Sequence, residues 1–245
     1  MSENSAITEP AVAHQGSESF QLIEQNEHFV IINKMPGVSF HTEDDVLGIV
    51  ERVKASLSLR ELYPVHRLDK ITSGLLILAK TVNANRELSR LFRERVVEKY
   101  YLAIVDRKPN KKQGLIKGDM TKSRRGMWKL TKTNENPAIT QFFSTSIKPG
   151  KRLFLIRPKT GKTHQIRVAL NSLGAPVLGD PLYNAESTQS ASRGYLHAFA
   201  IKFEYETKAY CFVCEPSVGE QFLTETFKES LQQYAEPWLQ PWPKV

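Results

Sequence analysis

Hydrophobic and polar positions follow one another along the first half of the chain in patterns typical of a strand-rich fold. Short apolar runs at 20–23 and 29–32 flank a polar turn and predict two strands. The five consecutive apolar residues at 75–79 predict a buried strand, and "KYYLAIV" predicts another. Apolar residues at helical spacing in "VLGIVERVKASL" and "NANRELSRLFRERVV" predict two amphipathic helices.

The second half of the chain continues with longer strands. "AITQFFSTSI" and "RLFLIRP" predict two strands, and "YLHAFAIKFEY" with "AYCFVCE" predicts a hairpin. "GKTHQIRVALNSLG" predicts a helix with Thr163 as its N-cap and Gly174 as its stop, and "LTETFKESLQQYA" predicts a C-terminal helix. The polar residues 184–194 predict a mobile insertion. The predicted fold class is therefore α+β, with a mixed, mostly antiparallel central sheet flanked by helices.

Composition narrows the class of protein. Residues 1–18 carry few large apolar residues and predict a disordered tail, whereas 19–245 show neither repeat nor linker and predict a single catalytic domain. No window approaches the roughly 18 unbroken apolar residues of a membrane span, and the N-terminus lacks the order of a signal peptide. We therefore expect no membrane association and a cytoplasmic location. Cys211 and Cys214 form no disulfide framework and are expected to be buried thiols.

Positive charge is concentrated in one stretch. The chain carries 34 Lys or Arg against 26 Asp or Glu, and nine of the basic residues lie in 107–129 with a single acid, Asp119. Because Met127 and Trp128 are interleaved with these charges, the stretch suits a phosphate backbone with exposed bases nearby. A merely solvated loop is the alternative interpretation.

The segment "YPVHRLDKITSGLLILAK" places charged residues directly before the strand predicted at 75–79. Asp69 is the first candidate for chemistry, although such a carboxylate commonly pairs with a neighbour such as Arg67 or Lys70. A second polar cluster, "GKTHQIRVAL", opens a predicted helix, whose N-terminus carries unpaired N–H groups and partial positive charge. We expect Arg167 of this cluster to pair with Asp69 and to stabilise its ionised form. Such a carboxylate in a basic groove is a nucleophile or base directed at a polyanionic substrate.

Other chemistries fit the sequence less well. No serine lies in a Gly-x-Ser-x-Gly turn, and no second His or Cys cluster completes a metal site beside His66 and Asp69. Neither glycine-rich nucleotide motif is present, so no metal and no nucleotide cofactor is expected. Two alternatives stay open: an RNA-binding or RNA-folding protein without catalysis, and a nuclease, which divalent-ion dependence would reveal.

One segment, "HRLDKITSGLLILAK", resembles the signature of the RluA-type pseudouridine synthases, which isomerise uridine in RNA without a cofactor. Further segments match in the same order, and together they extend from about residue 29 to 205: "VIINKMPGVSFH", "EKYYLAIV", "GKTHQIRVAL", "LGAPVLGDPLY" and "YLHAFAIKF". The resemblance implies the pseudouridine synthase catalytic fold and an isomerase that acts on a structured RNA, a stem-loop of ribosomal RNA or tRNA.

The resemblance also implies roles for individual residues. Asp69 matches the aspartate that attacks the nucleotide, permits cleavage of the glycosidic bond and holds the fragments while uracil turns and rejoins the ribose through C5. Tyr101 matches a tyrosine that packs against the base and is proposed to take the C5 proton, and the Lys-x-Tyr spacing selects it over Tyr100. Arg167 matches the basic partner of the aspartate. Arg67 aligns with an arginine that in some members fills the gap left by the flipped uridine.

Substrate contacts are expected from the matched motifs and from the basic stretch. Those in the motifs are His66, Arg67, Leu68, Thr72, Lys99, His164, Gln165 and Ile166, and those in the basic stretch are Lys111, Lys112, Arg124 and Arg125. Two positions depart from the family pattern, since Ala169 stands where a His is often found and Lys70 where Arg is commoner. The N-terminal segment leaves no room for the S4 RNA-binding module of several relatives. The catalytic domain, expected to be a monomer, must then hold the RNA itself.

Overall fold

The computed structural model describes residues 18–245. The tail predicted over 1–18 lies outside the described residues, apart from Glu18. Within this range no helix combines the length and the apolar character needed to cross a membrane.

Twelve strands and four α-helices make up the regular structure of this range. In chain order the strands are β1 (Phe20–Gln25), β2 (Phe29–Lys34), β3 (Tyr63–Pro64), β4 (Ser73–Ala79), β5 (Glu98–Val105), β6 (Gln113–Gly118), β7 (Met120–Lys122), β8 (Trp128–Leu130), β9 (Ala138–Lys148), β10 (Lys151–Pro158), β11 (Leu196–Tyr205) and β12 (Lys208–Val213). The helices are α1 (Ile49–Ser56), α2 (Val82–Arg93), α3 (Gln165–Ser172) and α4 (Glu225–Gln232).

Ten of these strands form one sheet in the order β1-β2-β4-β11-β5-β10-β9-β6, with β12 paired to β11 and β3 to β4. Every described pair in it is antiparallel except β4 with β11. Apolar side chains of α2 and α4 pack on one face of the sheet, and those of α1 and α3 pack on the other. The predicted α+β class with a mixed, mostly antiparallel sheet is therefore confirmed.

Strand β4 lies between β2 and β11, and all seven of its residues are buried. This explains its continuous apolar sequence, since a strand covered on both faces has no polar alternation. Gly74 has φ +104°, and a Cβ atom there would lie 2.2 Å from the carbonyl oxygen of Ala198. Only glycine permits this close approach of β4 to β11. The loop that carries Asp69 thus leads directly into the most rigid part of the sheet.

Helix α2 leads from β4 to β5. The side chain of Thr81 caps its first turn by accepting a hydrogen bond from the N–H of Ala84. Leu88 and Leu91 are buried on its inner face, as the helical spacing predicted. Just after the helix, Arg95 adopts a left-handed backbone conformation with φ +62°, and the chain turns there into β5.

The segment between β10 and α3 differs from its prediction at one point. Thr163 is not the N-cap; the cap position belongs to His164, which has φ +56° and makes no side-chain capping bond. The side chain of Gln165, the first helical residue, instead holds the preceding loop, because its Oε1 accepts from the N–H of Lys162 at 3.0 Å. The helix ends as predicted, with Gly174 in the left-handed region at φ +72°.

Three further segments compare with their predictions as follows. The basic stretch 107–129, for which a solvated loop was the alternative interpretation, is largely regular, since it contains β6 and the hairpin of β7 and β8. Residues 184–194, predicted as a mobile insertion, contain a 3₁₀ helix, Ala185–Gln189, and the buried Ser187 accepts a hydrogen bond from the N–H of Gly179 at 2.8 Å. This bond ties the segment to the domain. Cys214 is buried as expected, but Cys211 is exposed on the sheet edge.

Candidate active site

A cavity of about 550 Å³ opens on the face of the sheet that α1 and α3 cover. This volume is within the range of small-ligand sites. The loop before β4, the end of α2, the start of β5 and the loop between β10 and α3 form its walls. The side chains that matter below are His66, Arg67, Leu68, Asp69, Thr72, Arg95, Lys99, Tyr101, Asn136, Lys162, His164, Gln165, Ile166 and Arg167.

Asp69 and Arg167 meet in this cavity, as the sequence predicted. Nη1 of Arg167 donates to Oδ2 of Asp69 at 3.1 Å. The Arg167 side chain is 4% exposed and that of Asp69 is 20% exposed, so the carboxylate faces the cavity while the guanidinium lies behind it. The Asp69 carboxylate is therefore accessible to a ligand, and the buried Arg167 guanidinium holds the carboxylate in place.

A second carboxylate, which the sequence analysis missed, completes this pair. Asp180 is fully buried, and its two oxygens accept from Nε and Nη2 of Arg167 at 2.7 and 2.8 Å. It also accepts from the N–H groups of Leu182 and Tyr183. Burial lowers the pKa of Arg167, but the hydrogen bonds and charges of Asp180 and Asp69 outweigh burial and raise it. Arg167 therefore remains charged, fixed by Asp180 on one side and available to Asp69 on the other.

A sequence signal for Asp180 did exist. In "APVLGDPLY" it is the only charged residue in an apolar run, and a buried carboxylate requires a cationic partner. The identity of that partner was not readable, because a separation of 13 positions between Arg167 and Asp180 says nothing about which side chains meet.

Strand β5 separates the two candidate tyrosines. Tyr101 lines the cavity and packs between the apolar clusters beneath α1 and α3. Tyr100 is fully buried on the opposite face, where its hydroxyl bonds to Glu98. Consecutive residues of a strand point to opposite faces, so only Tyr101 can touch a ligand in the cavity. Burial, and then the charge of Asp69, raise the pKa of Tyr101, which keeps the phenol protonated at neutral pH.

The predicted RNA contacts in the loop that carries Asp69 differ in their exposure. Arg67 is exposed at the cavity, with its guanidinium 5.9 Å from the Phe40 ring centroid. Leu68 and Thr72 are buried, although both line the cavity. His66 stacks on Phe92 at 4.4 Å between ring centroids, and its Nε2 accepts from the N–H of Ile77 at 3.1 Å. Burial lowers the pKa of His66 to about 3, so the ring stays neutral and serves mainly to fix the loop.

Gln165 was predicted to bind substrate, but its side chain is fully used within the protein. Its Oε1 accepts from Thr160 and from the N–H of Lys162, and its Nε2 donates to Ile139 and Thr140. We therefore correct this assignment: Gln165 shapes the loop and does not offer a free group. Ile166 is 7% exposed and contributes an apolar wall.

His164 connects the cavity to the β7–β8 hairpin through Tyr183. Nδ1 of His164 lies 3.2 Å from the Tyr183 hydroxyl, which accepts from the N–H of Trp128 at 2.8 Å. The Tyr183 ring also lies 5.1 Å from the guanidinium carbon of Arg167. Burial, and then the charge of Arg167, lower the pKa of His164 and favour a neutral ring. Sequence reasoning missed Tyr183, whose role depends on three separate segments meeting.

Lys34, which was also missed, contacts the loop that carries Asp69. Its Nζ donates to the carbonyl groups of Met35 and Val38 at 2.9 Å and to that of Lys70 at 3.5 Å. Burial and the charge of Arg193 lower the pKa of Lys34 to about 7, although Asp69 acts in the opposite direction. The residue directly after Asp69 is thereby tied to the loop that follows β2.

The four residues predicted to contact RNA phosphates do not line the cavity. Lys111 and Lys112 are exposed just before β6, which lies three strand positions from β5. At about 4.8 Å for each step, this separates the two strands by about 14 Å. Arg124 and Arg125 are exposed at the tip of the β7–β8 hairpin, whose Trp128 contacts Tyr183. The basic stretch therefore contains two pairs of exposed cations on different elements, one before β6 and one at the tip of the β7–β8 hairpin, which we refer to as the two basic surfaces.

In the part of the chain that the structure describes, no three His, Cys, Asp or Glu side chains are grouped so that they could hold a metal ion.

Comparisons with known proteins agree with this geometry. The profile of the family described as RNA pseudouridylate synthase matches residues 28–172. An RNA pseudouridine synthase of Haemophilus influenzae is 47% identical over 220 residues, which span 89% of this chain and 98% of the relative. The ribosomal large subunit pseudouridine synthase C of Rickettsia bellii is 35% identical over 72% of this chain and 61% of its own length. The structure of human RNA pseudouridylate synthase domain containing 1 covers 94% of this chain and 100% of its own, with a TM-score of 0.71 and 22% identity, and shows the same fold.

The chain belongs to the RNA pseudouridine synthase family, whose members are isomerases. Its RluA-type character, expected from the motifs around Asp69, is confirmed.

Proposed function

We propose that this enzyme isomerises one or more uridines of large-subunit ribosomal RNA, with Asp69 as the nucleophile. The observation that carries the chemistry is the buried Asp69–Arg167–Asp180 network at the cavity. The substrate class is supported by relatives such as the protein of Rickettsia bellii, whose name assigns it to the ribosomal large subunit. A tRNA stem-loop is the other substrate that the motifs allow. The cytoplasmic location and the monomeric state stay predictions.

The proposed reaction needs no net change of atoms. The carboxylate of Asp69 attacks C1′ of the ribose, the bond between N1 of uracil and C1′ breaks, and uracil turns until C5 faces C1′. A C5–C1′ bond then forms as the bond between Asp69 and C1′ breaks and frees the carboxylate, and C5 loses a proton while N1 ends with one. Covalent attachment to Asp69 divides one difficult step into easier ones and holds the ribose while the base turns.

The electrostatics of the cavity support these assignments. Arg167 pairs with Asp69 at the cavity and also with the fully buried Asp180. Because the network contains two carboxylates and one guanidinium, it carries one net negative charge. While Asp69 is covalently attached its charge is absent, and with it one of the two causes that raise the pKa of Tyr101. A lower pKa makes the phenolate, which is the form that can accept a proton, easier to reach.

A uridine within folded RNA must leave its stack to reach Asp69. The cavity volume of about 550 Å³ accommodates a single nucleotide. Flipping costs a few kcal/mol, and a side chain that fills the vacated position offsets part of it. Arg67, exposed beside Asp69 and close to the Phe40 ring, is the side chain that we assign to this position.

Pseudouridine mapping in ribosomal RNA tests the function directly. Cells that lack the gene should lose modification at one or more large-subunit uridines, and the wild-type chain should restore it while Asp69→Asn does not. Identical maps in both cell types would refute the proposal. A change confined to tRNA would refute the ribosomal substrate and leave the chemistry intact.

The two basic surfaces should contribute differently to RNA affinity. Removing Arg124 and Arg125 with alanine should weaken binding and reduce the dependence of log affinity on log salt by up to about 1 per lost contact. The same replacement of Lys111 and Lys112 should have a smaller effect, because these residues lie three strands from β5. Turnover at saturating RNA should change little in both variants, since phosphate contacts position the backbone.

Affinity for ribosomal RNA fragments at several salt concentrations, measured for both double variants, decides this point. Salt plots of Arg124→Ala/Arg125→Ala that superimpose on wild type would mean that the hairpin tip is only solvated.

A further inference from the structure

One side of the cavity carries positive charge without a matching carboxylate. Arg95 and Lys99 line the cavity, and Lys159 directly follows the cavity residue Pro158. We refer to Arg95, Lys99 and Lys159 as the rim cations. Within residues 18–245, no salt bridge joins a carboxylate to any of the three. The sequence analysis selected only Lys99 of this group.

Acidic residues do lie next to the rim cations in sequence, but they are paired elsewhere. Glu94 precedes Arg95 and forms a salt bridge with Arg90 on the same helix. Glu98 precedes Lys99, and its Oε2 accepts from Nη2 of Arg157 at 2.7 Å and also bonds to the Tyr100 hydroxyl. Neither carboxylate lines the cavity, although burial and the charge of Arg157 lower the pKa of Lys159 and the charge of Glu98 acts in the opposite direction.

In the absence of a bound anion, the surroundings of Lys99 destabilise the charged form of its side chain. Its Nζ lies 5.4 Å from the Phe92 ring centroid, which is its one described favourable contact among residues 18–245. Burial, and then the charges of Lys159 and Arg95, lower its pKa to about 8. Mutually repelling cations in a half-buried place destabilise a fold unless a ligand compensates them.

The backbone conformation of Arg95 also supports a ligand-binding role for the rim cations. Its left-handed conformation, φ +62°, follows the last turn of α2, where glycine is the residue of lowest cost. A residue with a Cβ atom is strained there. Arg95 is also one of the residues that line the cavity, and backbone strain of this kind concentrates at functional positions.

We propose that the rim cations bind a backbone phosphodiester of the RNA next to the flipped uridine. This inference rests on the proposed function, since a flipped nucleotide stays linked to two phosphates that must pass the cavity mouth. The same cavity holds the Asp69–Arg167–Asp180 network, whose net charge of one negative unit disfavours a phosphate beside it. The backbone therefore crosses the side formed by α2 and β5, and the base enters toward Asp69.

Salt-dependent binding of a short oligouridylate, followed by fluorescence anisotropy, tests this site without requiring the natural RNA. For single strands each phosphate contact contributes about 0.7 to the slope of log affinity against log salt. Arg95→Ala/Lys99→Met should therefore reduce the slope by about 1.4 when both residues contact phosphates. The control Arg86→Ala/Lys202→Met removes the same charge from exposed positions that do not line the cavity. Equal slopes for the two double variants would overturn the proposal.

Thermal unfolding of the RNA-free protein supplies a second measurement. Lys99→Met should raise Tm at neutral pH, because it removes a cation that the folded state disfavours. The folded-state pKa of Lys99 is lowered to about 8 from 10.5, so the gain should be full below pH 8 and should vanish as pH approaches 10.5. A lower Tm for Lys99→Met at pH 7 would show that Lys99 supports the fold, and would overturn its assignment as a ligand-binding cation.

The two levels of inference fail in different ways. If the wild-type enzyme forms no pseudouridine in ribosomal RNA, the proposed function fails, but the oligouridylate slopes still report on phosphate binding. If pseudouridine forms and the slopes of Arg95→Ala/Lys99→Met match wild type, only the phosphate site is wrong.

Discussion

Asp69→Asn should abolish isomerisation while RNA binding and folding survive. Asparagine keeps the shape of the side chain and one oxygen that can accept from Nη1 of Arg167, now 3.1 Å from Oδ2. It lacks the negative charge and the nucleophilicity of a carboxylate, and loss of a covalent nucleophile costs on the order of a thousandfold or more in turnover. Arg167 stays paired with Asp180 in the variant, so no buried cation is left alone.

Single-turnover formation of pseudouridine, with RNA affinity measured in parallel, checks this result. Asp44→Asn is the matched control, because Asp44 is exposed and does not line the cavity. It should retain wild-type turnover and affinity. Turnover of Asp69→Asn above about a tenth of wild type would exclude Asp69 as the nucleophile.

Replacement of Arg167 should have two effects that the structure separates. Arg167→Ala leaves Asp180, with no exposed surface, as an unpaired buried charge. Removing one partner of such a pair costs about 3–5 kcal/mol of folding stability, so loss of activity alone would be ambiguous. Arg167→Lys keeps the charge but cannot form the two-sided contact with Asp69 and Asp180, and should retain part of the activity.

The double variant Arg167→Met/Asp180→Asn resolves the ambiguity. Asparagine at 180 can still accept from the N–H groups of Leu182 and Tyr183, and no buried charge remains. We expect this protein to unfold at a temperature close to wild type and to be nearly inactive. Equal turnover of Arg167→Lys and of the double variant would count against a charge pair between Arg167 and Asp69.

The candidate site was predictable from sequence where one segment alone determines the result. Asp69 was found because a charged loop before a continuous apolar strand is unusual. Tyr101 was separable from Tyr100 by a motif, and the alternation of side chains along β5 provides the physical reason. Each of these inferences uses residues within a few positions of one another.

Predictions failed where several segments contribute to one place. Gln165 was assigned to substrate, because the sequence does not show that Thr160, Ile139 and Thr140 use its whole side chain. The basic stretch was treated as one surface, whereas its cations belong to two elements, the start of β6 in the large sheet and the tip of the separate β7–β8 hairpin. The density of charged residues along the sequence does not show which surface of the folded protein these residues occupy.

By itself, the sequence determined the α+β class and the buried strand that follows the loop carrying Asp69, and it selected Asp69 and Arg167 as the candidate pair. These follow from local periodicity and from short motifs, in which residue type and spacing carry the information. Only the tertiary structure decided that Asp180 completes the network, that Tyr183 joins the hairpin to His164, and that Arg95 and Lys99 line the cavity, near Lys159, without forming a salt bridge. Such groupings depend on strand order and register, which bring together residues far apart in the chain, and pairwise electrostatic energies have no meaning until those distances are set.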